Sequence, residues 1–567
     1  MKWVLADSDE GAAAALADTA GLHPLIARLM VNRGIVDPSA ARSFLSCDLS
    51  ALSGPGVFSH MEKAADRVRA AIARREKIVI YGDYDVDGVT GTSLLYLALK
   101  RKDAVVESYI PDRMTEGYGL NTAALESIKA AGAGLVISVD CGITAVREAE
   151  HARSIGLDLI ITDHHEFAHS SPGSPDQDAV LPPAYALLHP ALTAAGVPEA
   201  VRASVAGLTG VGVAFKLAQA LLGADDEHTV SYLDLVTLGT IADVGRITGE
   251  NRILVRHGLD RMSSDNGNGR PGIAALKQVS GLDGKKIGVG TVGFSLAPRI
   301  NASGRLTRAD TAFRLLTTES REEAMGLASA LDAVNRERQA VEETIREEAR
   351  GICRGMDMGP AGAIVLSSEK WHPGVIGIVA SRIVEEFYRP TALICIRNGV
   401  GKGSARSIPG FDLYEGLVAC SDLLLGFGGH KYAAGFTIAE ENIDRFRERL
   451  GAIVLERVGA AGFERSLTVD GAVSLDELTL ELMRELDKLA PFGQGNPEPR
   501  LGARDLEVVS SRIVGNNHLK LRLRQRGGAP LGAIAFNRGN LLGGPVRDGN
   551  RLAAVFTPKV NAWNGTT

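Results

Sequence analysis

The chain has 567 residues, 45% hydrophobic and 23% charged, with a formal net charge of −6. That length exceeds one ordinary core, so three or four domains are expected. No apolar run reaches the ~18 residues of a membrane helix, and the opening MKWVLADSDEGAAAALADTA lacks a basic-then-apolar secretion signal, so a cytoplasmic protein without membrane contact is expected.

Residues 1–50 read as a helical, Ala-rich lead-in. Lys77–Gly82 (KIVIYG) reads as a buried strand and Val89–Lys100 as a helix. The apolar runs Leu135–Val139 and Leu157–Thr162 follow, separated by helical stretches, and such alternation implies a parallel sheet with helices on its faces. Ser170–Pro183, rich in Ser, Pro, Gly and Asp, reads as a loop. Ser320 with Glu323 forms a capping-box pattern, and Leu331, Val334, Val341, Ile345 and Ile352 recur at helical spacing, so a long helix to about Arg350 is predicted. A second α/β unit, with strands near Ala363–Ser367 and Thr391–Ile396, extends to about Val458. The remainder turns β-rich, and in His518–Arg526 the residues Leu519, Leu521 and Leu523 alternate with Lys520, Arg522 and Arg524. There is no internal repeat. The five cysteines, Cys47, Cys141, Cys353, Cys395 and Cys420, form no CxxC pair, which argues against zinc or a disulfide framework. From Arg500 to Thr567 eleven basic residues face only Asp505, Glu507 and Asp548, leaving about +8 on this stretch. An acidic body with a basic tail suits an enzyme that holds a polyanion at one end.

The chemistry is expected where the first strands stop. Strand one runs into Asp83, Asp85 and Asp87, strand two into Asp140, and strand three into Asp163, His164 and His165. A further acid, Asp243, follows the apolar run Leu235–Ala242. Ligands of open parallel sheets bind in the crevice at the carboxyl ends of the strands. So many carboxylates in one crevice would raise each other's pKa unless cations were present. Oxygen-rich donors with one or two imidazoles suit Mn²⁺ or Mg²⁺, and two such ions can act on a phosphodiester. A lone DxD is more often a solvated turn and a lone His-His pair more often structural; the conjunction of all of them argues for a site. Asp140, on the central strand, is placed to bridge two ions.

GDYDVDG, VDCG, TDHH and IADVG resemble the four motifs of the DHH phosphoesterase superfamily. The resemblance implies metal ligands at Asp85, Asp87, Asp140, His164 and Asp243, with Asp83 beside the first ion and His165 facing substrate phosphate. Within the superfamily, Pro298–Arg305 (PRINASGR) resembles a signature of the RecJ family, and NRERQ at Asn335–Gln339 resembles its connecting helix. HPGVIGIVASR at His372–Arg382, Gly403–Ser407 and Gly428–His430 look like a DHHA1 domain, and Pro491–Asn496 looks like the entry to an OB-type domain.

The expected architecture is α/β. A parallel-sheet DHH domain (51–310) is joined by a long helix (311–352) to a smaller α/β DHHA1 domain (353–458). A β-rich OB-type domain (459–567) follows, expected to lack its closing strand because the sequence stops at VNAWNGTT. Substrate contacts are expected from Arg299, Asn301, Arg305, His372, Arg382, Ser404, Arg406, Gly429 and His430, since arginines grip phosphate bidentately and Gly-rich loops offer amides. Lys520, Arg522 and Arg524 are expected to track a single strand, with Phe536 and Trp563 as candidate stacking aromatics. The resemblance implies a single-stranded-DNA-specific 5′→3′ exonuclease in recombination and repair, monomeric, working with single-strand-binding protein and a RecQ-type helicase. The alternative is a DHH–DHHA1 phosphodiesterase for short oligonucleotides or cyclic dinucleotides, which would not need the C-terminal domain. A catalytically dead binding scaffold would have lost motif acids, and here all are present.

Overall fold

The computed structural model describes residues 2–113, 115–169, 179–223, 226–264, 269–357 and 361–561. The chain divides into two compact units, one of residues 54–243 and 258–465, the other of residues 1–53, 244–257 and 466–567.

The larger unit opens with a five-stranded sheet. Its members are β1 (Lys77–Gly82), β2 (Val106–Tyr109), β3 (Ala133–Val139), β4 (Asp158–Thr162) and β5 (Ala186–Leu188). They lie in the order β2-β1-β3-β4-β5, all parallel. Ile78, Ile80, Val136, Ile137 and Ile160 are sealed from water, as parallel strands covered on both faces require. Two of the five strands escape the sequence reading: β2 and β5 are too short to show a period.

Three helices serve the crevice: α1 (Val86–Lys100), α2 (Gly210–Leu222) and α3 (Leu233–Ala242). The apolar run before Asp243 is therefore a helix, and Asp243 is its C-cap rather than a strand end. Leu235, Val236 and Leu238 are all buried, and a run apolar on every side marks a core helix as readily as a strand. Next come a π-helical turn at Val292–Leu296, α4 (Ala297–Leu306) and the 35-residue α5 (Arg321–Gly355). Ser320 caps α5 by accepting from the Glu323 N–H, as its sequence predicts. Leu331 and Ile345 are buried along it, but Ile352 is 43% exposed, so the apolar stripe ends before the helix does.

The same unit continues into a mixed sheet of β6 (Ile364–Ser368), β7 (Thr391–Arg397), β8 (Val400–Arg406), β9 (Leu424–Gly429) and β10 (Ala433–Ala439), with α6 (Ile376–Phe387) after β6. The order is β9-β10-β8-β7-β6, antiparallel except between β6 and β7.

In the smaller unit the N-terminal helices are more than a lead-in. Leu25, Ile26 and Met30 share a core with Leu482, Leu489 and Leu501. Lys2–Leu5 pairs in parallel with Ser466–Val469. Arg252, buried over the Phe44 ring, donates to the carbonyls of Phe44, Lys488 and Leu489, which satisfies a charge that burial alone would penalise. The β-rich part has β11 (Leu501–Val514), β12 (His518–Arg524), β13 (Leu531–Ala535) and β14 (Arg551–Phe556), with β12 between β11 and β13, and β14 on β11. Leu519, Leu521 and Leu523 point into the core, as the alternation predicts. Most of the loop expected at Ser170–Pro183, the final VNAWNGTT beyond Asn561, and Trp563 lie outside the described residues. Among the described residues no single helix is long and apolar enough to cross a membrane, and the five cysteines are buried and form no disulfide.

Candidate metal centre

The carboxylates converge at the ends of β1, β3 and β4 and at the end of α3. Asp85 is the N-cap of α1: its Oδ1 accepts from the N–H groups of Asp87 (2.9 Å) and Gly88 (3.1 Å). A Cβ on Gly88 would stand 2.6 Å from the Asp83 backbone, so only glycine lets the helix start turn back under the strand end. Asp87 is buried and caps a second helix. Its carboxylate accepts from the N–H groups of Gly210 (2.7 Å) and Val211 (3.0 Å) and from the Thr209 hydroxyl (3.2 Å), at the positive N-terminus of α2. Asp140 follows the central strand with φ 64°, an uncommon conformation for a non-glycine residue and one seen where a site demands it.

Three groups of donor atoms each lie within 4.8 Å of one another: Asp83, Asp85 and Asp140; Asp87, His164 and Asp243; and Asp140, His164 and His165. Asp140 belongs to two of them. His164 Nε2 stands 3.1 Å from Asp140 Oδ1, 3.7 Å from Asp243 Oδ2 and 3.8 Å from Asp87 Oδ2. Asp83 Oδ1, Asp140 Oδ1 and His164 Nε2 are sealed from solvent without a hydrogen-bond partner. Burial, then neighbouring carboxylates, raises Asp83 and Asp140 well above the usual carboxylate range. The same causes push Asp87 up to about 7 and Asp243 to about 8. Burial brings His164 down to about 3, leaving a neutral imidazole with a free lone pair. Such orphaned, mutually repelling oxygen donors with one imidazole fit two hard divalent cations such as Mn²⁺ or Mg²⁺.

Asp163 does something different from its neighbours. Its Oδ1 accepts from the N–H of His164 (2.7 Å) and bonds His165 Nδ1 (2.7 Å), and its Oδ2 accepts from the Ile143 N–H (2.9 Å). Burial would raise this carboxyl, but the His165 bond and charge outweigh it and hold it at about 2. Burial in turn opposes the His165 cation, yet the Asp163 bond raises it to about 9. Asp163 therefore orients a positively charged His165 toward the crevice, and all its bonding capacity is used inside the protein.

A cluster of guanidinium groups stands beside the acids. Arg305 lies among Arg113, Arg338 and Arg406, and burial followed by these neighbours lowers it to about 10. It donates to the Gly374 carbonyl (3.0 Å), and Arg406 donates to Ser404 Oγ (3.2 Å) and the Ala405 carbonyl (2.8 Å). His372 Nδ1 accepts from the Gly374 N–H, which fixes the same turn. Gly429 has φ 140° and a Cβ there would meet the Ala433 carbonyl at 2.5 Å; the adjacent His430 lies 3.4 Å from Glu166.

Other residues expected to contact substrate form ion pairs within the protein. Arg299 pairs with Asp332 (2.9 Å), Arg382 with Glu385 (3.1 Å), and Arg524 with Glu507 (2.6 Å, bidentate). Asn301 is half-buried in α4, while Lys520 and Arg522 are exposed on β12. Tyr118, Arg113 and His189 escape the sequence reading. The Tyr118 hydroxyl is 3.2 Å from His165 Nδ1, and His189 Nε2 donates to the His165 carbonyl (2.8 Å). Arg113 and Tyr118 follow β2, the short strand whose discovery would have pointed to them.

Three family models match: the DHH family N-terminal domain over residues 77–240, the DHHA1 domain over 361–456 and the RecJ OB domain over 469–567. The single-stranded-DNA-specific exonuclease RecJ of Bacillus subtilis is 41% identical, matching all of this chain and 69% of the relative. The Escherichia coli RecJ is 36% identical over 91% of this chain and 90% of its own. The chain belongs to the RecJ family. A RecJ-family crystal structure from Thermus thermophilus, in complex with Mn²⁺, is 32% identical with a TM-score of 0.79, covering 100% of this chain and 78% of that one. The same protein in complex with Mg²⁺ aligns at a TM-score of 0.74 and 30% identity, over 100% and 76% of the two chains. The RecJ-family signature PRINASGR thus lies on α4, where a Cβ on Gly304 would meet the Tyr84 carbonyl at 2.3 Å beside the first acidic motif.

Proposed function

We propose that this chain is a metal-dependent, single-stranded-DNA-specific exonuclease that hydrolyses phosphodiester bonds from the 5′ end and releases 5′-mononucleotides. The observation that carries the reading is Asp140, which belongs to two of the three donor groups, in a crevice whose Asp85 lies near the arginine cluster around Arg305. Asp83, Asp85 and Asp140 would hold one cation, and Asp87, Asp140, His164 and Asp243 the other. Two divalent ions supply charge neutralisation at the attacking and leaving oxygens and lower the pKa of water. The chain itself contributes orientation. Arg113, Arg305 and Arg406 grip phosphate groups of the strand next to the crevice, guanidinium forks matching phosphate oxygens. His165, kept cationic by Asp163, offers a fixed N–H toward the same phosphates. Tyr118, 52% exposed at the mouth, gives a ring on which a base can stack.

The C-terminal strands carry exposed Lys520 and Arg522, cations suited to the phosphates of a long single strand. We propose further that the enzyme is a cytoplasmic monomer that works with single-strand-binding protein and a RecQ-type helicase in recombination and repair. The test is digestion of 5′- and 3′-labelled single strands with and without Mn²⁺. The expected result is immediate release of the 5′ label as a mononucleotide, late loss of the 3′ label, and no cleavage with chelator. Early release of the 3′ label, or equal cleavage of duplex, would overturn the polarity or the strand preference.

A further inference from the structure

The larger unit holds a second cationic feature far from the acids. A cavity of about 640 Å³ opens at the C-terminal end of α1, bordered by Lys100 and Arg101, by Tyr232 and Asp234 at the start of α3, by Arg261 and Arg270, and by the exposed Glu319. Of its four cations, Arg270 is neutralised by the buried Asp234 at 3.2 Å. Among the described residues Lys100, Arg101 and Arg261 have no carboxylate partner, and Arg261 Nε is sealed from solvent without a hydrogen bond. Tyr232 is 3% exposed, and its hydroxyl lies against the guanidinium groups of Arg101 and Arg270. Four cations against two carboxylates, with the Arg261 Nε–H sealed and unbonded, leave the cavity with an excess of positive charge that an anion would complement.

We infer that this cavity binds a small anion bearing a phosphate group, supplied either as free phosphate or as a mononucleotide. Arginine forks and a lysine charge match phosphate oxygens, and the volume falls in the range of small-ligand sites. The site is separate from the metal crevice. Asp85 caps one end of α1 and Lys100 closes the other, 15 residues on, which is about 22 Å of helix. A ligand here leaves the catalytic acids uncovered.

Calorimetric titration of the full chain with inorganic phosphate and with dAMP tests the site in three proteins: the parent, Lys100→Gln with Arg101→Gln, and Arg406→Ala. Lys100 and Arg101 are exposed, so the double variant should melt with the parent; should it melt early, Arg261→Gln is read in its place. The expected result is saturable binding by the parent, weakened roughly tenfold or more in the cavity variant and unchanged in Arg406→Ala. Cleavage of single strands without added anion should be equal in parent and cavity variant. Tighter binding of dAMP than of phosphate identifies a nucleotide as the occupant, and equal binding identifies the phosphate group alone. Absence of saturation by either probe to about 10 mM, equal affinity in parent and cavity variant, or loss only in Arg406→Ala would overturn the inference.

Discussion

At the scale of single residues, the two acids Asp140 and Asp163 look alike in sequence and differ in bonding. Asp140 Oδ1 accepts no hydrogen bond, whereas both oxygens of Asp163 accept hydrogen bonds from the protein. Asp140→Ala should therefore lower the cleavage rate on the order of 10³-fold or more at saturating Mn²⁺, since both cations lose a shared ligand, while single-strand binding persists. Cleavage within tenfold of the parent would remove Asp140 from the bridging role. Asp163→Asn should cost about 10–100-fold in rate through a misoriented His165. Its Mn²⁺ affinity, read by titration, should stay close to the parent's; a matching loss of metal binding would make Asp163 a ligand instead. Arg406→Ala should raise KM or slow turnover without changing metal binding, and Arg406→Lys should not restore a bidentate grip. Parent-like kinetics in both variants would exclude that residue from the site.

At the scale of elements, strand β12 behaves in part as its alternation predicts. Its leucines face the core and its cations face out, but Arg524 is held by both oxygens of Glu507. Two cations rather than three remain available to phosphates. Each phosphate neutralised by a single-strand binder contributes about 0.7 to the slope of log affinity against log salt. Lys520→Gln with Arg522→Gln should flatten that slope by about 1.4 for a ~20-mer, and adding Arg524→Gln should change it little further. Superimposable salt series for parent and double variant would leave β12 without a role in strand retention. Dinucleotide cleavage should barely move in any of these proteins.

At the scale of the whole molecule, the two compact units should respond differently to metal. The unit of residues 54–243 and 258–465 carries the clustered crevice acids, whose repulsion cations would relieve. Ligand binding to the folded state at 100 times Kd adds about 2.7 kcal/mol per site. Scanning calorimetry with excess Mn²⁺ should therefore raise one unfolding transition and leave that of the smaller unit in place. Equal shifts of both would mean that the chain unfolds as a single cooperative block, and no shift at all would argue against resident cations.

How much of this was legible beforehand follows from the range of each interaction. The acidic motifs, the long helix with its Ser320 cap and the inward leucines of β12 are local: strand period, cap chemistry and residue type are written in consecutive positions. By themselves these determined an α/β chain with a carboxylate-rich, cation-dependent crevice and a basic tail. Only the tertiary structure decided which acid stays free and which is consumed by hydrogen bonds, because Asp87 meets its capping partners at Gly210 and Val211, more than a hundred positions away. The same holds for Arg299 and Arg524, which pair with Asp332 and Glu507, 33 and 17 positions away, and for Arg113 and Tyr118, which enter the site behind a four-residue strand. It also holds for the N-terminal helices, which share their core with Leu482 and Leu501 because neither segment buries its apolar face alone.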